Sequence, residues 1–260
     1  MTNDLSLIIM QSQDWLWSVF VVFIRTGAIV SVAPLFGEQS IPVRVKLGVA
    51  IAFTLIATPA VAPNVSLNDI NLPNAVQFLA PEILTGLFFG IVLRFFVFSL
   101  QIAGSMAAQA TSLAQIFGGS AGVDPQPAIG HLLVIAGLAL AAIMGLHTLL
   151  AAYIINSYAI VPVGILIASE TVISLGVAEV GRVFALGFCL AAPFLVASLI
   201  YNVTLGIINK AMPQLMVSFV GAPAITAGAM LLLVLSAPLM LATWFEALSF
   251  FLASPFGPTR

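Results

Sequence analysis

The sequence predicts an all-α, polytopic helical membrane protein of roughly six long, partly broken hydrophobic helices, the number that its length can thread through a bilayer. Only 6% of its 260 residues are Asp, Glu, Lys or Arg, against about 25% in soluble domains. Hydrophobic residues make up 62%, and mean hydropathy is +1.20. Apolar runs of ~20 residues recur along the chain, each enough to cross a ~30 Å hydrocarbon core. They far exceed the roughly 9–11 residues of a barrel strand and lack its alternation, so the spans are helices.

The spans follow in order. The first runs from Trp15 to Phe36, with Trp15 and Trp17 placed as interfacial anchors. The second covers Val43 to Val61, and the polar, Asn- and Pro-bearing stretch Ala62 to Asn74 reads as a solvated loop. The third starts near Ala75 and stays apolar well past Leu100. The fourth is Ile129 to Ile155, after which Pro162 and Gly164 bend the chain within Tyr158–Ala168. The fifth covers Val172 to Leu205 and the sixth Val217 to Leu252.

Several runs exceed one crossing. No proline interrupts the stretch after Pro81 as far as Phe117, and an unbroken helix there would be about 54 Å long. Such a helix must tilt, break or rise out of the bilayer. Prolines 34, 59, 193, 213 and 238 lie in or at the ends of apolar runs. The backbone groups they free need protein or water around them, which favours a packed assembly with an aqueous interior. Arg44 and Lys46 fall between the first two spans and Lys210 between the last two. The positive-inside rule puts those loops in the cytoplasm and both termini outside.

Composition also excludes. A net charge of −2 offers no basic face for nucleic acid. Cys189 is the single cysteine, so no internal disulfide or thiolate cluster forms, and in its apolar run it reads as a small buried residue. Met1 to Asp14 has no Lys or Arg, unlike a cleaved secretory signal. His131 and His147 would lie about 160° apart around a continuous helix and make no local metal site. Hydrolase, zincin, P-loop and CxxC motifs are all absent, so the chain is expected to be no enzyme and to need no cofactor. Met212 and Met216 read as packing residues.

Charges do occur within or beside the apolar runs: Arg25, Glu82, Arg94, Glu179, Arg182 and Glu246. Each costs at least about 2.5–3.5 kcal/mol at the bilayer centre unless paired, snorkelled or wetted. Glu179 and Arg182, three apart, can pair on one helix face. A proton or ion relay and structural pairing are the two readings of the set.

The stretch from Gln101 to Gln115 is more specific. Gln101, Ser105, Gln109, Ser112 and Gln115 recur at helical spacing among small and apolar residues. Such a stripe faces a water-filled path or hydrogen-bonds a neighbouring helix. A glycine-rich loop with Ile116, Phe117, Val123, Asp124 and Pro125 follows directly. An apolar, glycine-hinged loop at the end of a polar-striped helix suits a gate or plug. Gly86-x-x-x-Gly90 and Gly137-x-x-x-Ala141-x-x-x-Gly145 carry the small-residue spacing of close helix contact.

Several stretches of the chain together carry a family resemblance. The resemblance opens with Arg25, Ala33-Pro34-Leu-Phe-Gly37, the run Ile41-Pro42-Val-Arg44-Val-Lys46 and Pro59. It continues through Glu82-x-x-x-Gly86-x-x-x-Gly90, Ala103-Gly-Ser105-x-x-x-Gln109 and Asp124-Pro125. Then come Gly145-x-His147, Ser157-Tyr158-x-x-x-Pro162-x-Gly164 and Ala192-Pro193. Leu205-Gly-x-x-Asn-Lys210-Ala-x-Pro213-Gln214-Leu215 is the most specific segment. The chain departs from the family pattern at the insertion Phe117–Gly122, at Asn209 and Lys210, and at Ala224-Ile-Thr226, which lacks a basic residue.

With these motifs the chain resembles the FliR family, the FliR/SctT component of the flagellar and virulence type III export gate. The resemblance implies a single-copy subunit of the flagellar export gate in the bacterial inner membrane at the flagellar basal body. It implies partners of the FliP, FliQ and FlhB types and unfolded flagellar proteins as cargo, moved chiefly by proton-motive force. Residues 1–170 would be FliP-like and 171–260 a FliQ-like hairpin. The channel plug would fall on Ser112 to Asp124, with Leu113, Ile116 and Phe117 as its apolar seal. A virulence-secretion counterpart is the alternative on the same fold. A stand-alone secondary transporter is a third reading, although its usual inverted repeats are represented only by Arg25…Pro34 and Arg182…Pro193 at unequal spacing.

Overall fold

The computed structural model describes residues 2–62, 75–112, 128–212 and 217–256. These residues form seven helices and no strand: α1 (Thr2–Val32), α2 (Val43–Val61), α3 (Ala75–Ser112), α4 (Ala128–Ile143), α5 (Leu146–Ile160), α6 (Ser169–Ala211) and α7 (Val217–Ala253). Among the described residues five of them are long and apolar enough to span a membrane, or up to six if the bent pair α4–α5 is one span. The all-α, polytopic expectation therefore holds.

The fourth span differs from a straight Ile129–Ile155 helix. It breaks between α4 and α5, which meet at 80°. The cause is a glycine rather than a proline. Gly145 takes φ +84°, the left-handed conformation that ends a helix. Its carbonyl then accepts from the Thr148 amide (3.0 Å) and Thr148 Oγ1 (2.7 Å), starting α5 in a new direction. Pro59, Pro81 and Pro193, by contrast, lie inside helices that continue past them. At 1.5 Å per residue, the 38 residues of α3 and 43 of α6 extend about 57 and 64 Å.

Packing divides the chain into two compact units that interleave in sequence: Met1–Phe95 with Met144–Glu179 and Ser249–Arg260, and Phe96–Ile143 with Val180–Leu248. This division by packing is of a different kind from the division by resemblance at residue 170. In the first unit α1 packs along α2, and α2 also meets α5. Its core holds Val22, Ile29, Phe89, Leu93, Leu150, Tyr153 and Phe251, all buried. A ring cluster joins Phe88, Phe89, Tyr153, Phe251 and Phe256 at centroid separations of 5.5–6.0 Å. In the second unit Leu100, Ala103, Ala107, Leu133, Leu190, Phe194 and Trp244 are buried. Trp244 Nε1 donates to the Phe96 carbonyl at 2.7 Å, so its one polar group is satisfied inside that core.

Candidate functional site

Arg25 sits near the middle of the apolar stretch Trp15–Val32 of α1, whose other side chains suit lipid and core. Both it and Glu82 of α3 have 0% side-chain exposure. Two opposite charges taken this far from water survive only if every polar atom finds a partner. Arg25 Nε donates to Glu82 Oε2 at 2.7 Å and Nη2 to Oε1 at 2.9 Å, the bidentate geometry of a guanidinium on a carboxylate. Nη1 donates to the carbonyls of Ser157 (3.2 Å) and Val161 (2.7 Å), and Nη2 also reaches the Pro162 carbonyl at 3.5 Å. These bonds use all five donors of a guanidinium. Its flat face lies over the Tyr158 ring, 3.9 Å from the centroid. Glu82 accepts a third bond, from the Gly164 amide at 2.9 Å.

The cluster thus joins three separate stretches of sequence within the first unit. The carbonyls that Arg25 meets belong to the C-terminal end of α5, where helices leave carbonyls unpaired and where a cation is favoured by the helix dipole. Gly164 takes φ +76°, and a Cβ there would stand 2.7 Å from the Phe78 ring. Gly86 and Gly90 let α1 approach α3 closely: a Cβ on Gly86 would lie 2.6 Å from the Arg25 carbonyl oxygen, and one on Gly90 3.1 Å from that of Ile29. The small-residue spacing is therefore the seat on which Arg25 is delivered to Glu82.

Arg94 is held differently. Its Nη1 donates to Glu38 Oε1 at 2.7 Å, with about a fifth of each side chain exposed (22% and 23%). Pro34 is buried beside this turn, and Lys46 Nζ donates to the Gly37 carbonyl at 3.1 Å. Pro42 caps α2 with an extended ψ of 141°, and Arg44 is exposed in its first turn. Glu179 is buried and Arg182 half-buried, and both take part in polar or electrostatic interactions. Glu246 is exposed on α7, and Lys210 in the last turn of α6. His147 is exposed just after the α4–α5 break.

The polar stripe lies on α3 within the second unit. Gln101 and Ser105 are half-buried and Gln109 exposed, whereas Leu100, Ala103, Ala107 and Ala110 form the buried side. Ser105 Oγ donates back to the Ile102 carbonyl of its own helix at 2.8 Å. The last turn of α3 is tied instead by Ser198 of α6, whose Oγ donates to the Ala110 carbonyl at 2.7 Å. Ser112 closes α3. Leu113, Gln115, Ile116, Phe117, Asp124, Pro125, Pro213 and Gln214 lie outside the described residues.

Sequence reasoning singled out Arg25 and Glu82 but did not pair them, and it missed Glu38, Trp244 and Ser198. One signal for the first pair was available. Arg25, Glu82, Gly86 and the Ser157–Gly164 segment all belong to the quoted family motifs, and the structure brings them to one place. Among the described residues no group of three or more His, Cys, Asp or Glu could hold a metal ion.

Residues 16–250 match the family described as bacterial export proteins, family 1. A protein of Caulobacter vibrioides named flagellar biosynthetic protein FliR is 34% identical over 203 residues, covering 78% of this chain and 81% of the relative. The Escherichia coli protein of the same name is 28% identical over 221 residues, covering 81% and 80%. That of Aquifex aeolicus is 24% identical over 239 residues, covering 89% and 90%.

Proposed function

The chain belongs to the bacterial export proteins of family 1, the FliR family, and on that premise we propose that it is a single-copy subunit of the flagellar type III protein export gate. In this reading it completes a channel with FliP- and FliQ-type proteins, is contacted by an FlhB-type protein, and passes unfolded flagellar proteins across the bacterial inner membrane at the flagellar basal body. It contributes walls and a closure rather than a catalytic step. The flagellar system is favoured over the virulence counterpart by the names of the relatives, all of them flagellar.

The observation that carries the assembly reading is the length and surface of α6. About 64 Å of helix is twice a ~30 Å hydrocarbon core. Its apolar side chains Ile173, Val177, Phe184, Phe188, Leu199 and Ile207 are exposed over about 51 Å of helix, a length that no single bilayer crossing covers. Such a surface calls for other subunits beyond the lipid zone. The Ser112–Asp124 segment is proposed as the plug, its seal being Leu113, Ile116 and Phe117, at the end of the stripe of Gln101, Ser105 and Gln109.

Native mass spectrometry of the tagged chain, expressed with its neighbouring membrane genes, tests the assembly. One copy bound to several copies of two other small membrane proteins is the expected outcome. A detergent-stable monomer or homo-oligomer refutes it in favour of a transporter. The plug is tested separately by replacing Leu113, Ile116 and Phe117 with Gly in the full complex: ion leak across expressing membranes should rise, and unchanged conductance removes the plug assignment.

A further inference from the structure

We infer that Arg25 and Glu82 form a directional latch that fixes the turn between α5 and α6, and that neither residue carries protons. The two groups do not merely attract one another. Each also grips backbone of the opposite polarity. Arg25 donates to the carbonyls of residues 157, 161 and 162, and Glu82 accepts from the amide of Gly164. The turn presents carbonyls on one side and an N–H on the other, and the ion pair is oriented to match both. Gly164, at φ +76° against the Phe78 ring, can reach Glu82 because it lacks a Cβ.

A proton carrier needs a path for the proton and an oxygen that can release its bonds. Glu82 has neither: its side chain has no exposure, and its two oxygens accept three bonds, two of them from a cation. Arg25 has all five donors engaged and does not deprotonate in proteins. The pair is therefore a positioning device. It holds the segment Val161–Ala168, which leads directly into the first turn of α6, to α1 and α3. Val161, Pro162, Ile165, Leu166 and Phe88 also wall an apolar cavity of about 280 Å³ in this unit, so release of the turn would reshape that cavity as well.

Direction gives the test. An ordinary ion pair is restored when the charges are exchanged; this latch is not, because R25E would turn a carboxylate toward three carbonyls and E82R a guanidinium toward an N–H. Amide hydrogen exchange is followed across residues 160–168 of the full chain in lipid nanodiscs, with flagellar export measured in cells. Exchange at this turn should accelerate by about tenfold or more in E82A. R25K, which keeps the charge but loses the fork, should show a smaller acceleration. The R25E/E82R double variant should exchange as fast as E82A. In E82Q one acceptor oxygen remains, so protection and export should fall together and by less than in E82A. Restoration of protection by the charge exchange overturns the latch. So does an E82Q variant that keeps full protection yet loses export, the behaviour of a proton carrier. The exchange measurement stands whether or not the chain is a gate subunit, so the latch and the export reading fail separately.

Discussion

Residues 75–95 of α3 lie in the first packing unit and carry Glu82 and Arg94, whereas residues 96–112 of the same helix lie in the second and carry no charge. The first stretch is held by ion pairs to α1 and to the α1–α2 turn. The second is held by close backbone approach and neutral hydrogen bonds. Gly104 lies against the backbone of Gly130, Trp244 bonds the Phe96 carbonyl, and Ser198 bonds that of Ala110. Where water is scarce, a charge must be fixed by a complete set of partners, and the fixing makes that region rigid. A stretch of small and neutral polar residues needs no such partners and can leave one face open. The difference places the charged contacts in residues 75–95 and the neutral ones in residues 96–112, where Gln101 and Ser105 are half-buried and Gln109 is exposed.

The strongest way to break this contrast is to remove one charge of the buried pair. Arg25→Ala leaves the buried Glu82 carboxyl without its two guanidinium donors, and loss of one partner of a buried pair costs about 3–5 kcal/mol. Denaturant-induced unfolding in mixed micelles should show a loss of that size, with low yield of folded protein. A loss under about 1 kcal/mol, as for an exposed pair, would mean that the cluster is wet and that the division between the two halves of α3 fails.

The second unit should respond to bulk rather than charge. A Cβ at Gly104 would overlap the Gly130 backbone, which cannot give way as a flexible side chain can. Gly104→Leu should destabilise by about 1–3 kcal/mol through overpacking, and Gly104→Ala by less, in the same unfolding measurement. Equal stability of wild type and Gly104→Leu would show that α3 and α4 do not depend on this contact. Trp244→Phe keeps the ring packing and removes one donor to the Phe96 carbonyl; a loss of roughly 1 kcal/mol is expected. The same assay resolves it from the larger effects above.

What was legible in the sequence follows the same physics. Hydropathy exposes long spans because lipid acts on each segment separately, and the helices appear close to where the apolar runs place them. Gly86 and Gly90 were legible as a close-contact motif because their spacing is local. The partner of Arg25 was not. Glu82 lies 57 residues away, and Glu179 and Glu246 were equally available carboxylates in the apolar runs. One sequence contains no term that chooses among them. The geometry that completes the Arg25–Glu82 pair, carbonyls at one helix end and a glycine amide beside it, comes from the turn at residues 161–164. The α4–α5 break was hidden for a related reason: Gly145 lies in a small-residue repeat that reads equally well as helix packing, and only its left-handed backbone distinguishes the two.

The smallest effect on stability, and the most discriminating for function, is expected at Gln109. It is exposed on the side of α3 opposite Ala103, Ala107 and Ala110. If Gln109 faces a water-filled path, shortening it removes no helix contact, so Gln109→Ala should change unfolding free energy by no more than about 0.5 kcal/mol. Export rate or ion conductance of the assembled complex should nevertheless change, because the lining of the path has lost an amide. If instead Gln109 hydrogen-bonds a partner helix, the same substitution weakens assembly, and the complex dissociates at lower detergent concentration while the isolated chain keeps its stability. Measuring unfolding of the chain, dissociation of the complex and conductance on one variant therefore separates the two uses of the stripe that helical spacing alone leaves open.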